Sequence, residues 1–199
     1  MNTLQKKRVK SVLKYTWPFY IIIGVVVGLV LSIIFGIVHK TPAYKTLTLF
    51  VSGETTDLKK LEGDLLAKYQ ENELKTVSCI SAKPDDNNYN SKLTIAGYNG
   101  SDILIIPLSK LESLALEAFA LEMSNQLIND YYQGYTFFKQ EEINYGVKID
   151  KEKIKDYMIL PDEDCYLLLN GGSENIGEYS ASQIKEHNTA LKVVKDWGM

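Results

Sequence analysis

The feature that most constrains this chain is a run of 24 residues near its amino end, from Tyr15 to Val38, that carries no charge. The apolar part, Phe19–Val38, has about the length that a helix needs to cross the hydrocarbon core of a bilayer, roughly 20 residues. Because lipid offers no hydrogen-bond partner to a bare backbone, a helix is the expected form. Trp17 and Tyr20 stand where aromatic side chains meet the membrane interface. We therefore predict one transmembrane helix over residues 17–38.

The charges on the two sides of this run predict its orientation. Residues 1–38 carry five basic and no acidic side chains, whereas residues 39–199 carry 17 basic and 25 acidic ones. The positive-inside rule then places residues 1–16 in the cytoplasm as a basic tail. A linker over 39–45 and an extracytoplasmic domain over 46–199 follow, so we expect a single-pass protein of the cell membrane.

A cleaved signal peptide is the alternative interpretation of the same run. The apolar region of a signal peptide covers 7–15 residues and ends in small residues. The run here is longer, and the segment from Val38 to Ala43 makes a poor cleavage site. We therefore expect an uncleaved signal-anchor.

Four small residues, Gly24, Gly28, Ser32 and Gly36, recur at every fourth position of the apolar run. On a helix they form one stripe, and small residues let the backbones of two membrane helices approach closely. Glycine is also common in membrane helices that pack against nothing. The stripe is a candidate packing face toward another membrane helix.

Composition excludes several classes for the remainder of the chain. With 45% hydrophobic and 24% charged residues, the chain is too apolar to be disordered. Two cysteines exclude a disulfide-stapled miniprotein, and the absence of a basic excess argues against a nucleic-acid partner. Cys79 and Cys165 both fall in predicted strands outside the membrane, where a disulfide is chemically allowed. Whether they pair is left open.

Strand and helix patterns alternate along the outer domain. In the first half we predict three strands and three helices: strand Thr46–Val51, a helix capped by Asp57, strand Lys75–Ser81, helix Asn87–Ala96, strand Asp102–Ile106, and a helix opened by the capping box Ser109–Glu112. In the second half we predict helix Leu121–Tyr132, strand Ile143–Ile149, strand Cys165–Leu169, and helix Ser182–Trp197 with Ile184, Leu191, Val194 and Trp197 inward. Alternation with apolar strands predicts an α/β domain of three layers around a mostly parallel sheet.

Several segments in this order resemble a known family. They are Leu47–Glu54 (LTLFVSGE), Ala67-Lys68-Tyr69, Tyr89–Leu93 (YNSKL), Gly100–Ile106 and Tyr145-Gly146-Val147. The outer domain is thereby similar to the first lobe of the extracellular solute-binding proteins of sugar ABC importers, over Leu47 to about Gln126. The resemblance implies a periplasmic-binding-protein-like lobe and an association with uptake systems. Family members have two lobes, whereas about 155 residues suffice for only one.

Candidate ligand-binding residues follow from the resemblance and from sheet geometry. In open parallel sheets, ligands lie beyond the carboxyl ends of the strands. In the resembled family, the loops after the first two strands contact the sugar. Glu54, Asp85 and Asp86 are then candidate acceptors of hydrogen bonds from sugar hydroxyls. Thr55 is a further candidate ligand-binding residue, and Tyr145 is a candidate stacking platform. Solvated loops and a core tyrosine are the alternative interpretation of the same residues.

No set of residues in the sequence predicts a catalytic or a metal-binding site. Ser109 has no histidine patterned with it, and the acidic runs lack the alternating spacing of a calcium loop. Two cysteines and a distal histidine make no zinc site. We expect no catalytic residue, no metal and no cofactor.

The expected function is a non-catalytic accessory subunit of a sugar-type ABC importer that docks on the permease or on the binding protein. The alternative is an independent single-lobe ligand-binding sensor, either as a monomer or as a homodimer. A segment rich in aromatic residues, Tyr131–Phe138, is a further candidate interface, because aromatic residues are enriched at interface cores.

Overall fold

The computed structural model describes residues 3–38, 41–72, 74–180 and 187–199. The chain divides into two compact units, residues 1–41 and 42–199. Each unit is described by itself.

The first unit is a helix, α1, that spans Thr3–Val38. Within the described residues, its segment Thr16–Gly36 is long enough and apolar enough to cross a membrane, by length and composition. The predicted apolar helix is confirmed. It begins well before the predicted span, because the basic amino-terminal residues continue the same helix.

The second unit holds the remaining elements. The strands are β1 Thr46–Ser52, β2 Glu54–Thr55, β3 Thr76–Ala82, β4 Ile103–Pro107, β5 Phe137–Gln140, β6 Ile143–Lys148, β7 Met158–Ile159 and β8 Cys165–Leu169. The helices are α2 Leu58–Lys68, α3 Tyr89–Lys92, α4 Leu108–Leu111, α5 Asn125–Tyr131, α6 Lys151–Ile154 and α7 Thr189–Trp197, and α3 continues as a π-helix over Leu93–Tyr98.

In the described residues, six strands form one sheet in the order β3-β1-β4-β8-β6-β5. β1 pairs parallel with β3 and with β4, as the strand–helix alternation predicts. β8 pairs antiparallel with β4 and with β6, and β5 closes the far side as a hairpin with β6. The sheet is therefore mixed, since the expected parallel pairing is confirmed only in its first half.

Helices cover both faces of the sheet, which confirms the three layers. Alternate residues of β1 point to opposite faces, as the period of a strand requires. Leu49 packs with buried residues of α2, α5 and α7 on one face. Phe50 packs with Tyr89 and Leu93 on the other face.

Of the helix caps predicted at Asp57 and Ser109, the first is confirmed and the second is wrong. The carboxylate of Asp57 accepts a hydrogen bond from the backbone N–H of Lys60 at 2.9 Å, so it caps α2 as predicted. The predicted capping box at Ser109 is wrong. The N-cap of α4 is Pro107, two residues earlier, and the helix spans four residues. Ser109 instead donates two hydrogen bonds to the carboxylate of Glu163, from its backbone N–H at 2.8 Å and from its hydroxyl at 2.7 Å.

Two later helices are shorter than predicted. The helix predicted over Leu121–Tyr132 begins at Asn125, because the hydroxyl of Ser124 caps it by accepting from the N–H of Leu127 at 3.2 Å. The helix predicted from Ser182 is described from Thr189 onward, and Ile184 lies outside the described residues. The predicted inward residues Leu191, Val194 and Trp197 are buried.

The aromatic segment Tyr131–Phe138 belongs to the domain's interior. Tyr132 is completely buried and donates a hydrogen bond from its hydroxyl to the carbonyl oxygen of Leu191 at 3.0 Å. Tyr131, Tyr135 and Phe137 are partly buried against the same core. These rings therefore pack against the domain's own core, and the candidate interface stays a prediction.

Both cysteines are free thiols. Cys79 lies on β3 and Cys165 on β8, and two strands, β1 and β4, separate them in the sheet. With about 4.8 Å between neighbouring strands, their Cα atoms are too far apart for a disulfide, which requires about 7 Å or less.

Candidate functional site

A groove of about 450 Å³ lies at the edge of the sheet where the parallel strands end. β1, β3 and β4 run in the same direction, so the loops that follow them meet at this edge. The lining residues come from those three loops and from the chain around β7: Gly53, Glu54, Lys83, Pro84, Asp85, Ser109, Lys110, Ile159, Leu160, Pro161 and Glu163. This is the edge at which open α/β sheets bind ligands.

An ion pair joins two walls of the groove. The carboxylate of Glu54, after β1, contacts the ammonium group of Lys83, after β3. The hydrogen bond that Lys83 donates to Glu54 raises the pKa of Lys83 above its ordinary value, and the negative charge of Glu54 adds to the effect. Both side chains are more than 45% exposed, so the pair contributes little to stability and remains available to a polar partner.

A second polar contact fixes the opposite wall. Ser109, in α4 directly after β4, holds the carboxylate of Glu163 through the two hydrogen bonds given above. The ammonium group of Lys151 donates to the carbonyl oxygen of Glu163 at 2.6 Å and also contacts that of Pro161. The loop 161–163 is therefore held by Ser109 of α4 on one side and by Lys151 of α6 on the other.

Gly53 allows this loop region to approach β1 closely. A Cβ atom at Gly53 would overlap the backbone carbonyl oxygen of Ile159 and crowd the side chain of Leu160. The N–H of Gly53 meanwhile donates to the carbonyl oxygen of Ala82 at 3.0 Å, across the ends of β1 and β3. Glycine is thus required here by the close approach of backbone rather than by a turn.

The structure places the sequence-predicted site residues in different surroundings. Glu54 and Asp85 line the groove. Thr55 points toward β3, where its hydroxyl lies 3.5 Å from the sulfur of Cys79. Asp86 lies 3.9 Å from the ammonium group of Lys92 and is not part of the lining.

Tyr145 is a core residue rather than a stacking platform. It lies on β6 and is 5% exposed, in the hydrophobic cluster that also holds Phe138 and Tyr166. β8 stands between β6 and the strands that form the groove. The alternative interpretation of Tyr145, a core tyrosine, is therefore the one that the structure shows.

Sequence reasoning missed the residues that complete the groove, namely Lys83, Glu163 and the segment Ile159–Pro161. Glu163 follows Ser109 by 54 positions, and nothing in the local pattern links the two. The Ser109–Glu112 spacing instead suggested a helix cap. Lys83 lies two residues before the predicted Asp85. Its place in the loop after β3 was the signal that could have identified it as a partner for Glu54.

The opposite edge of the sheet carries a second cavity, of about 550 Å³. The rings of Tyr98 and Phe119 stack there with their centroids 3.9 Å apart. Asn170 forms part of the lining and is fixed by two hydrogen bonds, one donated to the carbonyl oxygen of Tyr98 at 2.7 Å and one accepted from the N–H of Gly172 at 2.9 Å. The volume lies within the range of small-molecule sites.

Within the described part of the chain, no group of three or more His, Cys, Asp or Glu residues is placed to hold a metal ion. In comparison with known proteins, the chain matches no family model and no curated protein.

Proposed function

We propose that this protein is a non-catalytic accessory subunit of a sugar-type ABC importer. Its helix α1 anchors it in the cell membrane with the amino end in the cytoplasm. Its α/β domain lies outside and docks on the permease or on the solute-binding protein. The observation that supports docking best is the open groove at the carboxyl edge of β1, β3 and β4.

The groove has the character of a protein interface. Ile159 is 59% exposed in its lining, next to Leu160 and Pro161. The Glu54–Lys83 pair and Glu163 stand around this apolar strip. An apolar centre within a polar rim is the usual anatomy of a protein–protein contact.

A single lobe favours a protein partner over a captured small molecule. Small-molecule sites bury most of the ligand's surface, and two-lobed binding proteins do so by closing around it. This groove is bounded by one domain and stays open on one side. A protruding segment of a partner fills such a groove without any closure.

The assignment to an ABC importer rests on the resemblance over Leu47 to about Gln126 and on the membrane anchor. A subunit tethered beside a permease has a high effective concentration, so a weak contact through one lobe is sufficient. The stripe Gly24, Gly28, Ser32 and Gly36 provides a second contact, between helices within the membrane.

Co-purification tests this proposal. Full-length protein with an amino-terminal tag is extracted in mild detergent from its host, and the proteins that accompany it are identified and quantified by mass spectrometry. We expect permease subunits or a solute-binding protein in near-stoichiometric yield. We expect Ile159→Asp to reduce that yield about tenfold, the effect of removing about 1.4 kcal/mol of binding free energy.

A matched control is Ile95→Asp, since Ile95 is 73% exposed and lies on the π-helix, away from the groove. This variant keeps the partner. A wild-type protein that arrives without importer subunits, or an Ile159→Asp variant that keeps them in full, contradicts the docking proposal.

The intramembrane contact has its own pair of variants. Gly28→Leu places a bulky side chain on the stripe, and Val26→Leu places one on another side of the helix. The Cβ of a residue at position 28 meets nothing within 4 Å, so the helix itself tolerates the change. We expect Gly28→Leu to lower the yield of permease subunits and Val26→Leu to leave it unchanged.

The second candidate function is an independent single-lobe sensor, which the 550 Å³ cavity beside Tyr98 and Phe119 favours. A small ligand bound only to the native state raises the melting temperature by mass action. We would measure thermal shifts with a panel of mono- and disaccharides. Asn99 also lines this cavity. A shift lost in Asn99→Ala but kept in Glu54→Gln assigns the ligand to this cavity, whereas the reverse assigns it to the groove.

A further inference from the structure

The strand β3 presents an open edge. It is the terminal strand of the sheet in the described residues and pairs on one side, with β1. Its seven residues, TVSCISA, include no charged residue and no proline. An edge strand of this length and composition is a ready template for pairing with another strand, because its outward N–H and C=O groups have no strand to bond.

The other terminal strand, β5, carries the features that block such pairing. β5 is four residues long and includes the exposed Lys139. Its register with β6 shifts between Phe138 and Lys139, which marks a bulge. Short length, a charged side chain and a bulge are the means by which proteins protect an edge. β3 has none of the three.

We propose that β3 pairs antiparallel with β3 of a second copy of this chain, so that the sheets of two copies join into one. Full overlap of the seven residues fixes the register, with Thr76 opposite Ala82 and Cys79 opposite Cys79 at the twofold axis. Ser78 then faces Ile80. Every opposed pair is uncharged, so the strand is complementary to itself.

The flanks of the strand are compatible with this register. Lys75 of one copy lies beside Lys83 of the other, and like charges would repel if both were unpaired. Lys83, however, is already paired with Glu54 of its own copy. Each end of the joined strands therefore holds two ammonium groups, one of which is already neutralised by a carboxylate.

The twofold axis of an antiparallel pair is perpendicular to the sheet, so equivalent faces stay on the same side. α2, which packs against β3 on one face, then lies beside its copy on that face. Such an isologous contact closes at two copies and leaves the protected β5 edges at the two ends. Two copies tethered in one membrane meet at a raised effective concentration, which favours a contact made mostly by backbone.

A distance measurement between spin labels tests the register. Full-length protein with Cys79→Ala and Cys165→Ala receives a nitroxide at Lys75→Cys and is measured in mild detergent by double electron–electron resonance. With a rise of about 3.3 Å per residue and strands about 4.8 Å apart, the two Cα atoms at position 75 lie about 27 Å apart in the dimer. A distance distribution centred near that value supports the pairing.

Three variants separate this contact from other sources of association. Ser78→Lys places a charge on the edge and should abolish the distance. Ile95→Lys adds the same charge away from β3 and should preserve it. Gly28→Leu, which alters the stripe on α1, should also preserve it. In a Trp17→Phe background, the fluorescence of Trp197, which is 6% exposed, reports that each variant is folded.

Folded protein that shows no defined distance, or a distance that survives Ser78→Lys and disappears in Gly28→Leu, overturns the proposal. The sample contains this chain alone. Its result is therefore independent of whether importer subunits co-purify with the protein.

Discussion

Asp102 joins three segments of the outer domain through hydrogen bonds to its carboxylate. The backbone N–H of Thr48, on β1, donates at 2.7 Å, and the side chains of Ser173 and Asn175 donate from the loop after β8. Burial raises the pKa of Asp102 above its ordinary value of 3.8, and these three donors oppose that shift without cancelling it. The carboxylate therefore connects the start of β4 to its neighbours. Its removal from water opposes the ionised form.

This balance predicts a pH dependence of stability. The folded-state pKa is raised, so the folded protein takes up a proton at a higher pH than the unfolded chain does. We expect the free energy of unfolding of the wild type, relative to Asp102→Asn, to increase as pH falls from above the raised pKa to below 3.8. Denaturant titrations followed by Trp197 fluorescence in a Trp17→Phe background measure it. A difference that stays constant or decreases contradicts the assignment of the shift to burial.

The two cysteines are predicted to be poorly reactive. Burial raises the pKa of Cys165 to about 11, and it also raises the pKa of Cys79 above its ordinary value. Because the thiolate is the reactive form, we expect alkylation near neutral pH to be at least about tenfold slower in the native protein than in urea. Cys79 should react before Cys165, since it is only half-buried. Mass spectrometry of iodoacetamide-treated protein measures both rates, and equal rates with and without urea would show that the thiols are exposed.

At the level of single elements, α2 offers a direct test of local structure. Asp57 caps this helix through the N–H of Lys60, and removal of such a cap costs about 1 kcal/mol. We expect Asp57→Ala to lower the free energy of unfolding by about that amount. Asp57→Asn serves as the control and should stay close to wild type, because an amide oxygen accepts the same hydrogen bond. Equal losses in both variants would indicate that the charge, rather than the cap, matters.

The first half of the domain, as far as the end of β4, could be predicted from the sequence because its signals are local. The apolar run at Thr46, the cap at Asp57 and the buried stretch before Pro107 each indicate their element without knowledge of the others. The same is true of α1, whose uncharged length is a property of one segment.

The second half could not be predicted in the same way. The apolar strand Cys165–Leu169 has the composition of any central strand, and composition carries no information on the direction in which it pairs. Its antiparallel position between β4 and β6 follows from tertiary packing. At the site, Glu54 and Asp85 were accessible to sequence reasoning because they adjoin predicted strands. Glu163 was not, because its contact with Ser109 is made only in the folded chain.

At the scale of the whole molecule, the anchor predicts how the chain responds to protease. We propose that residues 1–16 lie in the cytoplasm and the domain 46–199 outside. Protease added to cells stripped of their wall should then remove the outer domain and leave an amino-terminal tag protected inside. A tag that is digested, or that is absent from the mature protein, contradicts the uncleaved anchor and favours the signal-peptide alternative.

The position of β8 has a consequence for the order in which the domain is completed. It is the last strand along the described chain, yet it lies inside the sheet, between β4 and β6. As the polypeptide emerges, β4 has an open side until residues some 60 positions later arrive, and closing so long a loop is slow compared with forming local contacts. Cooperative folding therefore requires that nearly the full length of the domain has emerged. During that interval the uncharged strands are exposed to other chains, and a chaperone at the site of emergence would act on this stage.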